Sequence, residues 1–141
     1  MCVREYTYAY AAVDVLTGEM DSLILPFANT NCMQLFLDEV SRRHLQQNII
    51  MVVDGASRHR ALTLAVPANI QLLSLPPYAP ELNPVEHLWD ELREKFFHNR
   101  VFNSLSALEH HLADALLFLE NNQNQIQSIV SWKWIISSLL I

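Results

Sequence analysis

Two acidic residues occupy positions at which carboxylates do chemistry. Asp54 ends the unbroken apolar run Ile49-Ile50-Met51-Val52-Val53 and precedes Gly55. Such a run reads as a strand buried on both faces, so the Asp54 carboxylate is expected at the carboxyl end of a central strand, where open α/β sheets place their ligands. Glu86 lies in Asn83-Pro84-Val85-Glu86. With Asn83 as N-cap, Pro84 is the first helical residue, where its missing N–H costs nothing, and Glu86 is the third. Both acids also have a plainer reading. Asp54 would cap a turn or helix, a role Ser57 fills equally well, and Glu86 would close a capping box and favour the helix dipole. That reading leaves the approach to Glu86 unexplained. Pro76, Pro77, Pro80 and Pro84 are four of the six prolines in the chain, and each fixes its own φ while biasing the residue before it towards extended backbone. A carboxylate that must keep a fixed distance from a second one gains from such rigidity, because a shared metal ion demands it.

Two carboxylates without a cysteine cluster suit a hard, oxygen-seeking cation, Mg²⁺ or Mn²⁺, better than zinc. The chemistry that follows is phosphoryl transfer, in which two ions roughly 3.5–4 Å apart activate the attacking oxygen and stabilise the leaving one. His59 would orient water or contact phosphate, or serve as an ordinary structural histidine. His87 with Glu91, and His110 with His111, lack a complete ligand set and are assigned no metal.

The elements that must position these residues follow from periodicity. Tyr6 to Val15 is rich in aromatic and β-branched residues, Leu16-Thr17-Gly18-Glu19 supplies a turn, and Met20 to Leu25 returns, which predicts a β-hairpin. Asn31 with Gln34 resembles a capping box, and Met33, Phe36, Leu37 and Val40 recur at helical spacing, giving a helix from about Cys32 to Leu45. The strand from Ile49 is followed by a short helix between Arg58 and Val66 and by a second buried strand, Ile70 to Leu75. That order implies a parallel crossover. Val85, Leu88, Trp89, Leu92 and Phe96 mark the apolar face of the helix carrying Glu86, and its charged face reads as solvated. Ser106 with Glu109 offers a capping box for a last long helix that ends in the polar run Asn121 to Gln125. The sum is an α/β arrangement with a mixed sheet.

Composition sets the outer bounds. The 141 residues, 51% of them hydrophobic, suffice for one domain with a real core. A formal charge of −6 argues against a stand-alone nucleic-acid binder, which needs a basic face to displace counterions from phosphate. Cys2 and Cys32 are too few for a disulfide framework or a zinc site, and fit a reducing compartment. No signal peptide is legible. The apolar tail from Ile126 to Ile141 is broken by Gln127, Ser128 and Lys133, so no membrane association is expected and the reading is a soluble, cytoplasmic protein.

Two stretches carry a resemblance. Val52-Val53-Asp54-Gly55-Ala56-Ser57-Arg58-His59 and Leu75-Pro76-Pro77-Tyr78-Ala79-Pro80-Glu81-Leu82-Asn83-Pro84-Val85-Glu86-His87-Leu88-Trp89 resemble the second and third acidic motifs of the DDE-type transposases of bacterial insertion sequences related to mariner elements. Val3-Arg4-Glu5-Tyr6-Thr7-Tyr8 and Trp132-Lys133-Trp134-Ile135 are similar as well, so the likeness covers nearly the whole chain. It implies a ribonuclease H-like mixed sheet with flanking helices, a divalent cation, and cleavage and rejoining of transposon-end DNA. Asp54 and Glu86 become the second and third acidic ligands, with His59 and Asn83 in support. The first acidic ligand and the first central strand are expected to be missing, since Glu5, Asp14 and Asp21 are poor substitutes, and the family's DNA-binding region is absent too. The resemblance thus implies an amino-terminally truncated catalytic domain, with residues 1–103 forming the core and 104–141 a helical region. Alone, it would lack cleavage activity. Unpaired strand edges would leave it marginally stable or oligomeric, either with itself or with full-length transposase. The competing expectation is a regulatory interaction fragment.

Overall fold

The hairpin forms where alternation and glycine place it. The computed structural model describes residues 6–53, 63–74 and 84–130. β1 (Tyr8–Val13) pairs antiparallel with β2 (Met20–Leu25), from Tyr8 opposite Leu25 to Val13 opposite Met20. Asp14 builds the turn, its carboxylate accepting the N–H groups of Leu16 at 2.9 Å and Thr17 at 3.3 Å. Gly18 closes it at φ 78°, donating to the Asp14 carbonyl at 2.8 Å. A Cβ on Gly18 would lie 2.2 Å from the Gln123 carbonyl oxygen, so glycine is required both by the left-handed backbone and by the close approach.

β3 (Ile49–Val53) and β4 (Ile70–Ser74) pair in parallel, as the crossover reading requires. The antiparallel and parallel pairs stand as two separate two-stranded sheets among the described residues, rather than as one mixed sheet. β3 also departs from the expectation of burial on both faces. Met51 and Val53 are buried, but Ile50 is 65% exposed.

α1 (Thr30–Arg43) starts two residues earlier than expected. Asn29, not Asn31, is its cap, its side chain accepting the Cys32 N–H at 2.8 Å. Gln34 does not close a capping box. Its amide instead grips the backbone of Ala65, accepting the N–H at 2.9 Å and donating to the carbonyl at 2.8 Å. The predicted helix between Arg58 and Val66 lies partly outside the described residues, and its described end, from Leu64, is not helical. α2 (Pro84–Leu92) continues into a π-helical turn, Arg93–Phe97. α3 (Leu105–Glu120) is capped by Ser104, whose hydroxyl accepts the Ala107 N–H at 3.0 Å, rather than by Ser106. The polar run after it opens a further helix, α4 (Gln123–Val130), that the sequence reading missed.

Two apolar clusters hold these elements. In the first, Leu88 and Leu92 of α2 meet Leu112, Leu116 and Leu119 of α3 and Ile126 and Val130 of α4, over Ala9, Ala11, Val13 and Ile24 of the hairpin. In the second, Phe36, Leu37 and Val40 of α1 pack under Tyr10, Ala12, Leu23 and Leu25 of the hairpin and also under Met51, Val53, Ile70 and Leu72 of the parallel pair. α1 is thus the common floor of both sheets. Its flanks show their order. Glu39 and Arg43, four residues apart, share one flank, and Arg43 and His44 reach Asp21 of β2 at 3.4 and 2.6 Å. Gln34 and Ser41, seven apart, share the opposite flank. There Gln34 holds Ala65, and Ser41 donates to the Asn69 side chain beside β4 at 2.5 Å. β2 and β4 are therefore the outer strands, with β1 and β3 between them.

Candidate functional site

The parallel register determines where candidate ligands can converge. Val53 and Ser74 are Cα partners at the last residues of β3 and β4. The Ile49 N–H donates to the Asn69 carbonyl at 2.7 Å and fixes this register from the other end. The chain that continues into Asp54 and the chain that leads to α2 therefore leave the same end of one sheet. Asp54, His59 and Asn83 themselves lie outside the described residues.

Glu86 is described. α2 begins at Pro84, so Glu86 is its third residue, as the proline pattern predicts, and it is half-buried. Leu88 and Leu92, 0% and 5% exposed, seat the helix, which packs on β1 and α4. Those anchors let the first turn hold a carboxylate in a fixed place. The far end of the helix is fastened by a device the sequence did not reveal. His111 of α3 places Nε2 2.5 Å from the Phe96 carbonyl in the π turn. A carbonyl only accepts, so the ring carries its proton on Nε2. Phe97 and Phe102 meet the same ring with centroids 5.0 and 5.3 Å away.

Asp14 and Asp21 of the hairpin have structural partners. Asp14 serves the turn, and Asp21 serves His44 and Arg43. Glu39 on α1 accepts hydrogen bonds first from Arg42 and then from Arg43, which outweigh its slight desolvation and hold its carboxyl down at about 2, against an ordinary 4.5. Gln34 is a second residue whose role was not legible, since Gln after Asn reads as a cap partner. Its grip on Ala65 anchors the chain returning from the segment that carries Asp54 and His59.

Among the described residues no group of three or more His, Cys, Asp or Glu side chains gathers to hold a metal. Glu86 alone of the proposed oxygen donors is described, and its chemistry fits a hard cation. No helix among the described residues is long and apolar enough to cross a membrane.

The family described as "DDE superfamily endonuclease" matches residues 4–109. A protein of Sinorhizobium fredii (strain NBRC 101917 / NGR234), described as "Uncharacterized protein y4pE/y4sA", is 34% identical over 130 residues, covering 92% of this chain and 96% of that protein. No solved structure shows a significant match. With three quarters of its length inside the family match, the chain belongs to the DDE superfamily of endonucleases.

Proposed function

We propose that Asp54 and Glu86 are the second and third acidic ligands of a transposase catalytic site related to the mariner group, acting on transposon-end DNA in the cytoplasm. They would share Mg²⁺ or Mn²⁺, with His59 and Asn83 in support. When bound, the cation supplies Lewis-acid stabilisation of phosphoryl transfer. The chain's own part is to hold two carboxylates at one sheet end. The observation that carries this reading is the parallel register of Val53 with Ser74, which starts both ligand-bearing segments side by side.

In this reading residues 1–103 form a core without its first acidic ligand, residues 104–141 form a helical region, and the chain alone does not cleave DNA. Loss of one carboxylate from a two-metal site removes electrostatic stabilisation on which most of the rate depends. The test is a metal-dependent nicking assay on DNA, with Asp54→Ala and Glu86→Ala as controls. Background nicking by all three proteins is expected. Robust nicking abolished by either substitution would show a complete site and overturn the proposed incompetence.

A second reading is a non-catalytic fragment that pairs with full-length transposase or with a separate amino-terminal piece. The separation of the two sheets over α1 favours it. Co-expression with such a piece and size-exclusion chromatography should yield a stable complex; separate elution would sink it.

A further inference from the structure

We infer that Tyr8 and Phe27, with Tyr6 beside them, form an aromatic platform that stacks on unpaired bases of the DNA strand bound at the proposed site. The inference rests on the transposase reading for its choice of DNA and uses none of the proposed metal ligands.

The fold brings these rings to the end of the molecule where the ligand-bearing segments leave the sheet. Asp21 at the start of β2 meets His44 at the carboxyl end of α1 at 2.6 Å. Asn69, whose carbonyl accepts the N–H of Ile49 at the start of β3, donates to the Ser41 and His44 carbonyls at 3.3 and 3.0 Å. β2 and β3 thus both begin at the carboxyl end of α1 and run towards its amino end. There Leu25 leads to the Asn29 cap, and Val53 leads into Asp54. Tyr8, the Cα partner of Leu25, stands at the same end, and Tyr6 and Phe27 each lie two residues beyond that pair.

Exposure, rigidity and charge define the occupant. Tyr10, in the same alternating row as Tyr8, is covered by Phe36 of α1, with ring centroids 5.7 Å apart. Past the start of α1 that cover ends, and Tyr6, Phe27 and Tyr8 are 70%, 54% and 37% exposed. Phe27 is exposed on a fixed backbone. Pro26 restricts the chain before it, the Tyr10 hydroxyl donates to its carbonyl at 2.7 Å, and the Asn29 cap holds the chain just after it. A ring placed in advance loses little freedom when a flat partner covers it. Residues 6–13 and 22–37 contain no acidic or basic side chain, and Arg4 and Glu5 ahead of them cancel. The formal charge of −6 therefore lies elsewhere, and these segments carry no net charge to repel a phosphate chain. Uncharged rings beside a site for DNA suit the π-face that every unpaired base presents, worth on the order of 1 kcal/mol or more per stacked base. In a duplex those faces are already stacked on one another.

The probe is single-stranded oligothymidylate of about eight nucleotides, added to the full chain in EDTA and followed by NMR at about 0.05 and about 0.5 M NaCl. A blunt DNA duplex is the comparison. The Tyr8 and Phe27 ring resonances should shift with the single strand. Its affinity should hold or rise with salt, because salt screens an acidic chain from DNA and leaves stacking untouched, whereas a phosphate-driven contact weakens. Phe27→Leu and Tyr8→Leu keep apolar bulk and lose the ring. Each should weaken binding at least about five-fold, while Phe27→Trp should retain it. None of the three should alter binding of the duplex. Thermal melts separate lost stacking from lost fold, and where Tyr8→Leu lowers the melt, Phe27→Leu decides, its ring being the more exposed. No binding at either salt, affinity that falls with salt, or leucine variants that bind as well as the parent would overturn the platform. Self-association of the chain that disappears in the same leucine variants would also overturn it, because a second copy would then cover the rings. No cation is present, so these results bear on the platform alone. Unchanged Mn²⁺ affinity in Asp54→Asn and Glu86→Gln would sink the metal site and leave the platform standing.

Discussion

Val53 and Ser74 stand side by side as the last paired residues of β3 and β4. One is followed by Asp54, and the chain beyond the other leads to Glu86 in the first turn of α2. In the two-ligand reading, each acid should matter to cation binding and little to folding. Glu86→Gln and Asp54→Asn are expected to weaken Mn²⁺ binding at least about ten-fold, a loss typical even of groups that only orient ligands. Thermal stability should fall by no more than about 2 kcal/mol for Glu86→Gln, the upper limit for a partly buried charge at a helix dipole. Mn²⁺ titration followed by electron paramagnetic resonance, beside thermal melts, separates the two effects. Unchanged affinity in both variants would remove the shared cation.

The turn at Gly18 predicts an unusually costly alanine. Gly18→Ala must place a Cβ 2.2 Å from the Gln123 carbonyl and 2.9 Å from the Gln127 backbone nitrogen, at a φ of 78°. The backbone conformation alone costs roughly 1–2 kcal/mol for a residue with a Cβ. The clash pushes the hairpin tip off α4, where Gln127 Nε2 donates to the Leu16 carbonyl at 2.7 Å. A loss above about 2 kcal/mol in chemical denaturation is expected, and a near-neutral result would show that the hairpin tip does not rest on α4.

Helix caps offer a test between neighbouring residues of the same type. Asn29→Ala and Ser104→Ala should each cost about 1 kcal/mol, while Asn31→Ala and Ser106→Ala, which lose no capping bond, should stay within about 0.5 kcal/mol. Urea midpoints of the four variants decide it.

Acid sensitivity should report the Glu39 cluster. Its carboxyl lies at about 2 in the folded chain and near 4.5 otherwise. A depressed value means that its contribution is fully present above 4.5 and is lost as pH falls through 2. Glu39→Gln should therefore flatten the stability profile between those limits. The difference should shrink in high salt, because Arg42 is 69% exposed and the pair is screened. An unchanged acid limb would show that the arginines contribute nothing there.

The core over α1 is the most sensitive place for truncation. Leu37→Ala removes a fully buried side chain that lies under both sheets and is expected to cost about 2–5 kcal/mol. A loss below that range in urea denaturation would mean that the cluster relaxes around the cavity.

Much of this was legible in the sequence where period and punctuation agree. The hairpin was marked by alternation broken at Gly18, β3 and β4 by apolar runs, and the start of α2 by Pro84. The caps of α1 and α3 were each placed two residues late, because Asn29 and Asn31, or Ser104 and Ser106, have the same chemistry and differ only in which one faces a free N–H. The run Asn121 to Gln125 hid α4, whose stability comes from burying Ile126 and Val130 rather than from propensity. The same limit applies at the site. An apolar run says that β3 can be covered on both faces, and cannot say that Ile50 will lack its cover. Nothing local foretells that the Gln34 amide bonds to a backbone 31 residues away.

The helix α1 bears none of the proposed ligands, yet it is the joist on which both sheets are laid. Any tilt of that joist would spread or close the seam between β1 and β3, and would shift β3 and β4 together against the hairpin that α2 leans on. In the two-ligand reading, the spacing between the two acids would then be governed from the underside of the molecule, by Phe36, Leu37 and Val40. Side chains far from the chemistry should be able to tune it without altering a single charge.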